Sequence, residues 1–272
     1  MKKYIFAADA DGTILMDDLQ VHPATIKACQ EAQKLGHTIV IATGRAVIRT
    51  LPLLKKIPYI DYFVCNNGAL VYDVKNDQSI YLNGVNPTHY PKIVDFAREH
   101  QLSFKLHTDR DWIGDIGIED QLPTPLTDQL DQKIREHIKL NPTDSKLFNG
   151  QTPTQLSVNG SAEFCKAYFD QFEKWFGHDS SIFLANDIFI DVNAKDISKW
   201  TGLVALANHL NLPSEQIVTF GDSMNDLDML VKAKEHGYAM ANSKADLVKI
   251  VAPKIGDNNS DAIAQTIYKY IK

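Results

Sequence analysis

Ile5-Phe6-Ala7-Ala8-Asp9-Ala10-Asp11-Gly12-Thr13 decides how this chain is read. An apolar run leads into two carboxylates one residue apart, and a glycine turn follows. Side chains of a strand alternate faces, so positions 9 and 11 point the same way. If the strand ends here, Asp9 and Asp11 project into one small volume beyond its carboxyl edge. Two like charges that close require a neutralising cation or a shared proton. The plain alternative is a polar β-turn, since Asp-Gly is also a strong turn signal.

Two later segments repeat the pattern of an apolar run ending in small polar residues. His37-Thr38-Ile39-Val40-Ile41-Ala42 runs into Thr43-Gly44-Arg45, and Ile217-Val218-Thr219-Phe220 into Gly221-Asp222-Ser223-Met224-Asn225-Asp226. Pro23 to Leu35 reads as a helix between the first two strands, with proline in its first turn and Gly36 at its end. A helix over Ala46 to Ile57, weakened by Pro52, leads to a third strand at Asp61 to Cys65. Short buried strands separated by helices imply a parallel sheet covered on both faces. The expected fold is therefore α/β, a Rossmann-like doubly wound parallel sheet. Its ligands should bind beyond the carboxyl ends of the strands, where all three polar segments would converge.

The middle third changes character. Helices are expected at His89 to Gln101, Asp128 to Lys139 and Ala162 to Phe176. Strands are expected at Ser103 to Thr108, Gln155 to Val158 and Ser181 to Leu184. Four prolines (123, 125, 142 and 153) punctuate the region. This reads as an inserted α+β domain over 86–187, between core portions 1–85 and 188–272. The final third continues with a helix from Met224 to His236, a strand at Tyr238 to Met240 and a closing helix from Asn259 to Lys272.

Bulk properties narrow the function. The 272 residues carry a net charge of −6 and no long basic run, which argues against a nucleic-acid partner. No stretch approaches the roughly 20 apolar residues that span a bilayer. Asp9 and Asp11 interrupt what would otherwise resemble a signal peptide. Cys29, Cys65 and Cys165 are odd in number and far apart, so neither a disulfide framework nor a cysteine metal site is expected. The expected setting is the cytoplasm, and the expected assembly a monomer or weak homo-oligomer.

The polar segments suit a phosphate and a hard cation. Mg²⁺ takes oxygen ligands, and Asp9, Asp222 and a backbone carbonyl near Asp11 would supply them. Thr43-Gly44 offers a hydroxyl donor and a backbone free to approach an anion, although an ordinary helix cap would look the same. Asp222 and Asp226 also fit a plain acidic helix start. Asp228 reads as a solvated helix charge.

These segments, in this order, resemble the haloacid dehalogenase superfamily, specifically its Cof-type (subclass IIB) phosphatases. The family's first motif corresponds to Asp9 to Thr13, its second to Thr43 to Arg45 and its fourth to Gly221 to Asp226. Its third motif is a lysine, placed at Lys199 in preference to Lys195. Asn66-Asn67-Gly68-Ala69 and Met240-Ala241-Asn242-Ser243 also match. Trp200 stands where glycine is common, and Asp261-Ala262 where Gly-Val is typical.

The resemblance implies a Mg²⁺-dependent phosphatase acting on a small phosphorylated metabolite, with Asp9 as nucleophile and Asp11 as general acid and base. It further implies Asp9, Asp11 and Asp222 at the metal. Thr43, Gly44, Lys199 and Asn225 fall at the phosphate, and Asp226 orients a metal-bound water or Lys199. Arg45 is either a phosphate clamp or a salt bridge at a helix start. The insert corresponds to the family's cap, with Asp109, Arg110 and Trp112 as substrate-facing candidates, though packing suits Trp112 and Trp175 better. A phosphosugar mutase and a non-catalytic phosphometabolite-binding protein are the competing readings.

Overall fold

The computed structural model describes residues 2–109, 111–114, 138–140, 152–185 and 187–272. They form two compact units, one of residues 1–44, 53–81 and 198–272, the other of 45–52 and 82–197.

The first unit is built on a seven-stranded sheet. β1 (Ile5–Ala8) lies inside it, paired in parallel with β2 (Thr38–Ala42) on one side and β12 (Ile217–Gly221) on the other. β3 (Tyr62–Cys65) extends the parallel set past β2, and β13 (Gly237–Ala239) extends it past β12. All four residues of β1 are buried, because helices on both faces of a parallel sheet leave no wet side. α1 (Pro23–Lys34) shows how such a helix is specified. Pro23 occupies its first position, and the His22 side chain accepts the Ala24 N–H at 3.2 Å. Thr25, Ala28, Cys29 and Ala32 form its buried stripe, and Gly36 follows its end in the left-handed conformation.

Two features of the first part of the chain differ from the sequence expectation. Past β3 the chain reverses into β4 (Leu70–Asp73), antiparallel to β3, and β5 (Gln78–Leu82) at the sheet edge. The expected helix over Ala46 to Ile57 is a single α-turn, α2 (Val47–Thr50, in the second unit), followed by a 3-10 turn. Pro52 has no N–H to continue an α-helix.

The second unit holds a six-stranded sheet ordered β10-β11-β9-β6-β7-β8. Its strands are β6 (Ser103–His107), β7 (Trp112–Gly114), β8 (Ile138–Leu140), β9 (Gln155–Asn159), β10 (Ser180–Ala185) and β11 (Phe189–Ala194). β11 lies past residue 187 yet pairs with β9 and β10. Of the helix expected over Asp128 to Lys139, most lies outside the described residues, and Ile138 and Lys139 belong to β8. One sheet face is apolar, with Phe104, Leu106, Leu156, Val158, Ile190 and Val192 packed with residues of α3 (Tyr90–Glu99) and α4 (Ala162–Phe176). The alternate positions Lys105, His107, Gln155, Ser157, Asp191 and Asn193 are polar and also buried. Ser157 donates to Asp191 at 2.6 Å on that face. Trp112 is buried beside the Arg49 and Lys105 cations, and Trp175 packs edge-on against Phe96. Arg110 lies outside the described residues. No helix among them is long and apolar enough to cross a membrane.

Candidate active site

Strand ends place the polar residues of the first unit. The Asp9 N–H donates to the Phe220 carbonyl at 3.0 Å, so the ladder between β1 and β12 runs up to the first carboxylate. The chain then turns on itself, with Ile14 N–H on the Asp9 carbonyl and Leu15 N–H on that of Ala10. Gly12 makes this turn possible. Its φ is 75°, and a side chain there would begin 2.7 Å from an Asp222 carboxylate oxygen. Thr13 closes the contact by donating to Asp222 Oδ1 at 2.7 Å.

Lys199 enters from α5 (Lys199–His209), of which it is the first residue. Ser198 caps that helix, accepting the Thr201 N–H, while the Thr201 hydroxyl accepts the Ser198 N–H. A cation at a helix N-terminus works against the helix dipole, and a fully buried ammonium is costly. Two carboxylates offset both costs. Lys199 Nζ donates to Asp9 Oδ1 at 2.7 Å and to Asp226 Oδ1 at 2.5 Å. The competing Lys195 lies in the second unit, with its Nζ on the Gly177 carbonyl.

Asp226 is occupied on both oxygens. Its Oδ2 accepts the backbone N–H groups of Asp222 and Ser223, each at 3.0 Å, and the Ser223 hydroxyl. Its geometry suits orienting Lys199 and the Asp222 loop. Asp228, expected as a solvated charge, is partly exposed and pairs with Lys232, and it also accepts the hydroxyl of Ser198, the cap of the lysine helix. The signal was available in the sequence as a serine one residue before the lysine, but its partner 30 residues on was not. Trp200 packs against the apolar cluster of Leu203 and Leu206.

One oxygen from each of Asp9, Asp222 and Asp226 lies within 4.8 Å of the others, and all three residues are buried. Burial, opposed by Lys199 and reinforced by Asp226, Asp222 and Asp11, pushes the Asp9 carboxyl up to about 8. Burial and Asp226 push Asp222 up to about 6 against the Thr13 hydrogen bond. Burial works against the Lys199 charge too, but Asp226 and Asp9 outweigh it and hold the ammonium above the ordinary lysine range. One buried ammonium is thus surrounded by more carboxylates than it neutralises. An all-oxygen donor set with excess negative charge fits a hard divalent cation such as Mg²⁺.

That charge excess has a measurable consequence. Were a divalent cation bound among these carboxylates, protons on Asp9 and Asp222 would compete with it, so Mg²⁺ should bind more tightly as pH rises through about 6 and about 8. In linkage terms, both folded values exceed the ordinary 3.8, so the stability they contribute is lost as pH rises through them. Mg²⁺ should restore it. The expected result is a Tm increment on adding Mg²⁺ that grows from pH 5 to pH 8. His37 and His107, lowered chiefly by burial, titrate in both arms and cancel. An increment independent of pH would contradict the assignment.

Thr43 is buried at the end of β2, its N–H on the Val64 carbonyl at 2.8 Å and its carbonyl taking the Asn67 N–H at 3.1 Å. Gly44 lies against the Asn67 side chain. Asn225 accepts the Ser223 hydroxyl at 2.7 Å and donates to Asn67 Oδ1 at 3.3 Å. Asp11 lies near enough to raise Asp9, but its carboxylate is not one of the clustered three. Arg45 belongs to the second unit. Thr13 and Asn67 carry no individual role in the sequence reading, because each acts through a partner distant in the chain.

Over residues 6–267 the chain matches the family described as haloacid dehalogenase-like hydrolase. It is 26% identical to the 5-amino-6-(5-phospho-D-ribitylamino)uracil phosphatase YcsE of Bacillus subtilis, covering 98% of this chain and 95% of that protein. It is 25% identical to the pyridoxal phosphate phosphatase YbhA of Escherichia coli over the whole of both chains, 100% of each. Among solved structures, a haloacid dehalogenase-like hydrolase from B. subtilis superposes with a TM-score of 0.80 at 21% identity, covering 97% of this chain and 99% of that one.

Proposed function

The chain belongs to the haloacid dehalogenase-like hydrolases, and from that premise we propose a Mg²⁺-dependent phosphatase that hydrolyses a small phosphorylated metabolite through an aspartyl-phosphate. The observation that carries this reading is the buried Asp9 carboxylate, held by Lys199 at 2.7 Å and clustered with Asp222 and Asp226. A sugar phosphate or a nucleotide- or cofactor-derived phosphate is the substrate class, in keeping with relatives named for a ribitylamino-uracil phosphate and for pyridoxal phosphate.

In the first step an Asp9 oxygen attacks phosphorus as the bond to the leaving oxygen breaks, and Asp11 gives that oxygen a proton. In the second, Asp11 takes a proton from water as the water oxygen attacks phosphorus, which releases phosphate and restores Asp9. Lys199 holds Asp9 in place and meets negative charge on the transferring group, as do Thr43 and the Gly44 backbone. Asp226 fixes Lys199, and Asn225 lies at the phosphate side of the same loop. Held by Asp9, Asp222 and the Asp11 backbone carbonyl, Mg²⁺ would neutralise the phosphoryl oxygens and let two anions approach.

Phosphate release from a panel of phosphorylated metabolites, scored as kcat/KM with Mg²⁺ and with chelator, tests the reading. Turnover that depends on Mg²⁺ is expected, and silence across the panel would overturn it. Isomerised sugar phosphate from a hexose 1-phosphate, with no free phosphate, would indicate a mutase instead.

Asp222→Ala isolates the metal. The variant loses one of the oxygen donors and leaves the Thr13 hydroxyl without its acceptor. Half-maximal activity should then need at least about tenfold more Mg²⁺, the cost of one lost charge-assisted contact. An unchanged Mg²⁺ titration would remove Asp222 from the metal set.

A further inference from the structure

We propose that Asn67 is a positioning residue that sets the phosphate-binding segments against each other, an inference that rests on the phosphatase reading. Asn66, Asn67 and Gly68 follow β3 with φ of 51°, 55° and 104°, three consecutive residues in the left-handed half of the backbone map. Side chains there oppose this conformation, and asparagine tolerates it better than most. Both asparagines are nevertheless completely buried. Such a run persists only where its surroundings over-determine it, and it collects at functional sites.

The turn touches three parts of the site at once. Through its backbone, Asn67 donates to the Thr43 carbonyl at 3.1 Å. Through its side chain, Oδ1 accepts the Asn225 amide at 3.3 Å, and Asn225 is tied in turn to Ser223. Gly68 lies directly beneath the start of the lysine helix, where a Cβ would fall 1.9 Å from the Ser198 carbonyl oxygen. Segments from β2, β12 and α5 therefore take their spacing from this one turn.

Gly44 explains why the fit is close. Its φ is not positive, so its backbone is open to alanine. The three atoms nearest a Cβ there all belong to Asn67, with Oδ1 at 2.9 Å and the next two at 3.6 Å. Gly44 and the Asn67 amide thus share one space, and a side chain at 44 would displace the group that orients Asn225.

The test uses Asn67→Gly, Gly44→Ala and the double variant. Glycine keeps the left-handed backbone and removes only the side chain. In Asn67→Gly the inhibition constant of inorganic phosphate and the KM should each rise about tenfold, with a cooperative urea transition retained. Gly44→Ala alone should raise both constants similarly, and in the Asn67→Gly background it should add little, because the clash is gone. A merely structural asparagine would shift the urea midpoint without moving phosphate inhibition. Unchanged constants in Asn67→Gly, or equal effects of Gly44→Ala in both backgrounds, would overturn the proposal. Should Asn67→Gly not fold, unchanged constants in Gly44→Ala would overturn it alone. If the unaltered protein releases no phosphate, the phosphatase reading falls first. Additive urea midpoints across the four proteins would then independently refute the coupling of 44 and 67.

Discussion

Asp9→Asn should lower phosphate release by a factor on the order of 10⁴ or more, with the fold retained. An amide oxygen still accepts a hydrogen bond from Lys199 but is not a nucleophile towards phosphorus. The position is anchored by its backbone, through the N–H bond to Phe220 at 3.0 Å, so folding does not depend on the charge. The energetic balance is close. Lys199 loses one anionic partner but keeps Asp226, and a carboxyl whose burial opposes ionisation is replaced by a neutral group. The Tm should therefore stay near that of the unaltered protein. Rapid quenching during turnover should trap a phosphorylated protein from the unaltered chain and none from the variant. Full activity in Asp9→Asn would end the nucleophile assignment.

Lys199→Met should damage both stability and activity. Methionine fills much the same length, so the loss is chiefly electrostatic. Asp9 and Asp226 would be left buried without their cation, and breaking such a pair from one side costs about 3–5 kcal/mol. Part of the loss should return on adding Mg²⁺, because a cation among the carboxylates takes over some of the neutralisation. Activity should fall by about 10²–10³, the usual cost of one charge-stabilising donor. Lys199→Arg should not rescue it, since Lys199 is completely buried and a planar guanidinium cannot replace a compact ammonium there. Urea unfolding with and without Mg²⁺, alongside kcat, measures both effects. A variant as stable as the unaltered protein would mean that the ion pair does not hold the site together.

Parts of this site were legible residue by residue. The strand bearing Asp9, the two apolar runs that flank it in the sheet and the polar residue ending each run follow from local pattern. The hairpin of β4 and β5 is not among the expected elements, although Asp73 at the end of β4 and Asn76 and Asp77 between the two strands are turn formers. The family resemblance asks for a lysine in this stretch and Ser198-Lys199 opening a helix favours Lys199 over Lys195, while the hydrogen bonds to Asp9 and Asp226 exist only in the folded chain. Asp228 stays partly exposed beside Lys232, as a solvated helix acid would, but its bond to Ser198 on another element leaves no local signal.

The amino-acid order alone determined where strands end and which reactive groups stand at those ends, since strand alternation and turn chemistry act over a few residues. Tertiary structure alone decided how those groups share their charges and hydrogen bonds. Asp9 and Lys199 are 190 residues apart, and Thr13 and Asp222 are 209 apart. Contacts of that range exist only after the sheet assembles and removes them from water, and that burial turns a set of ordinary acids and one lysine into a negatively charged centre suited to a divalent cation.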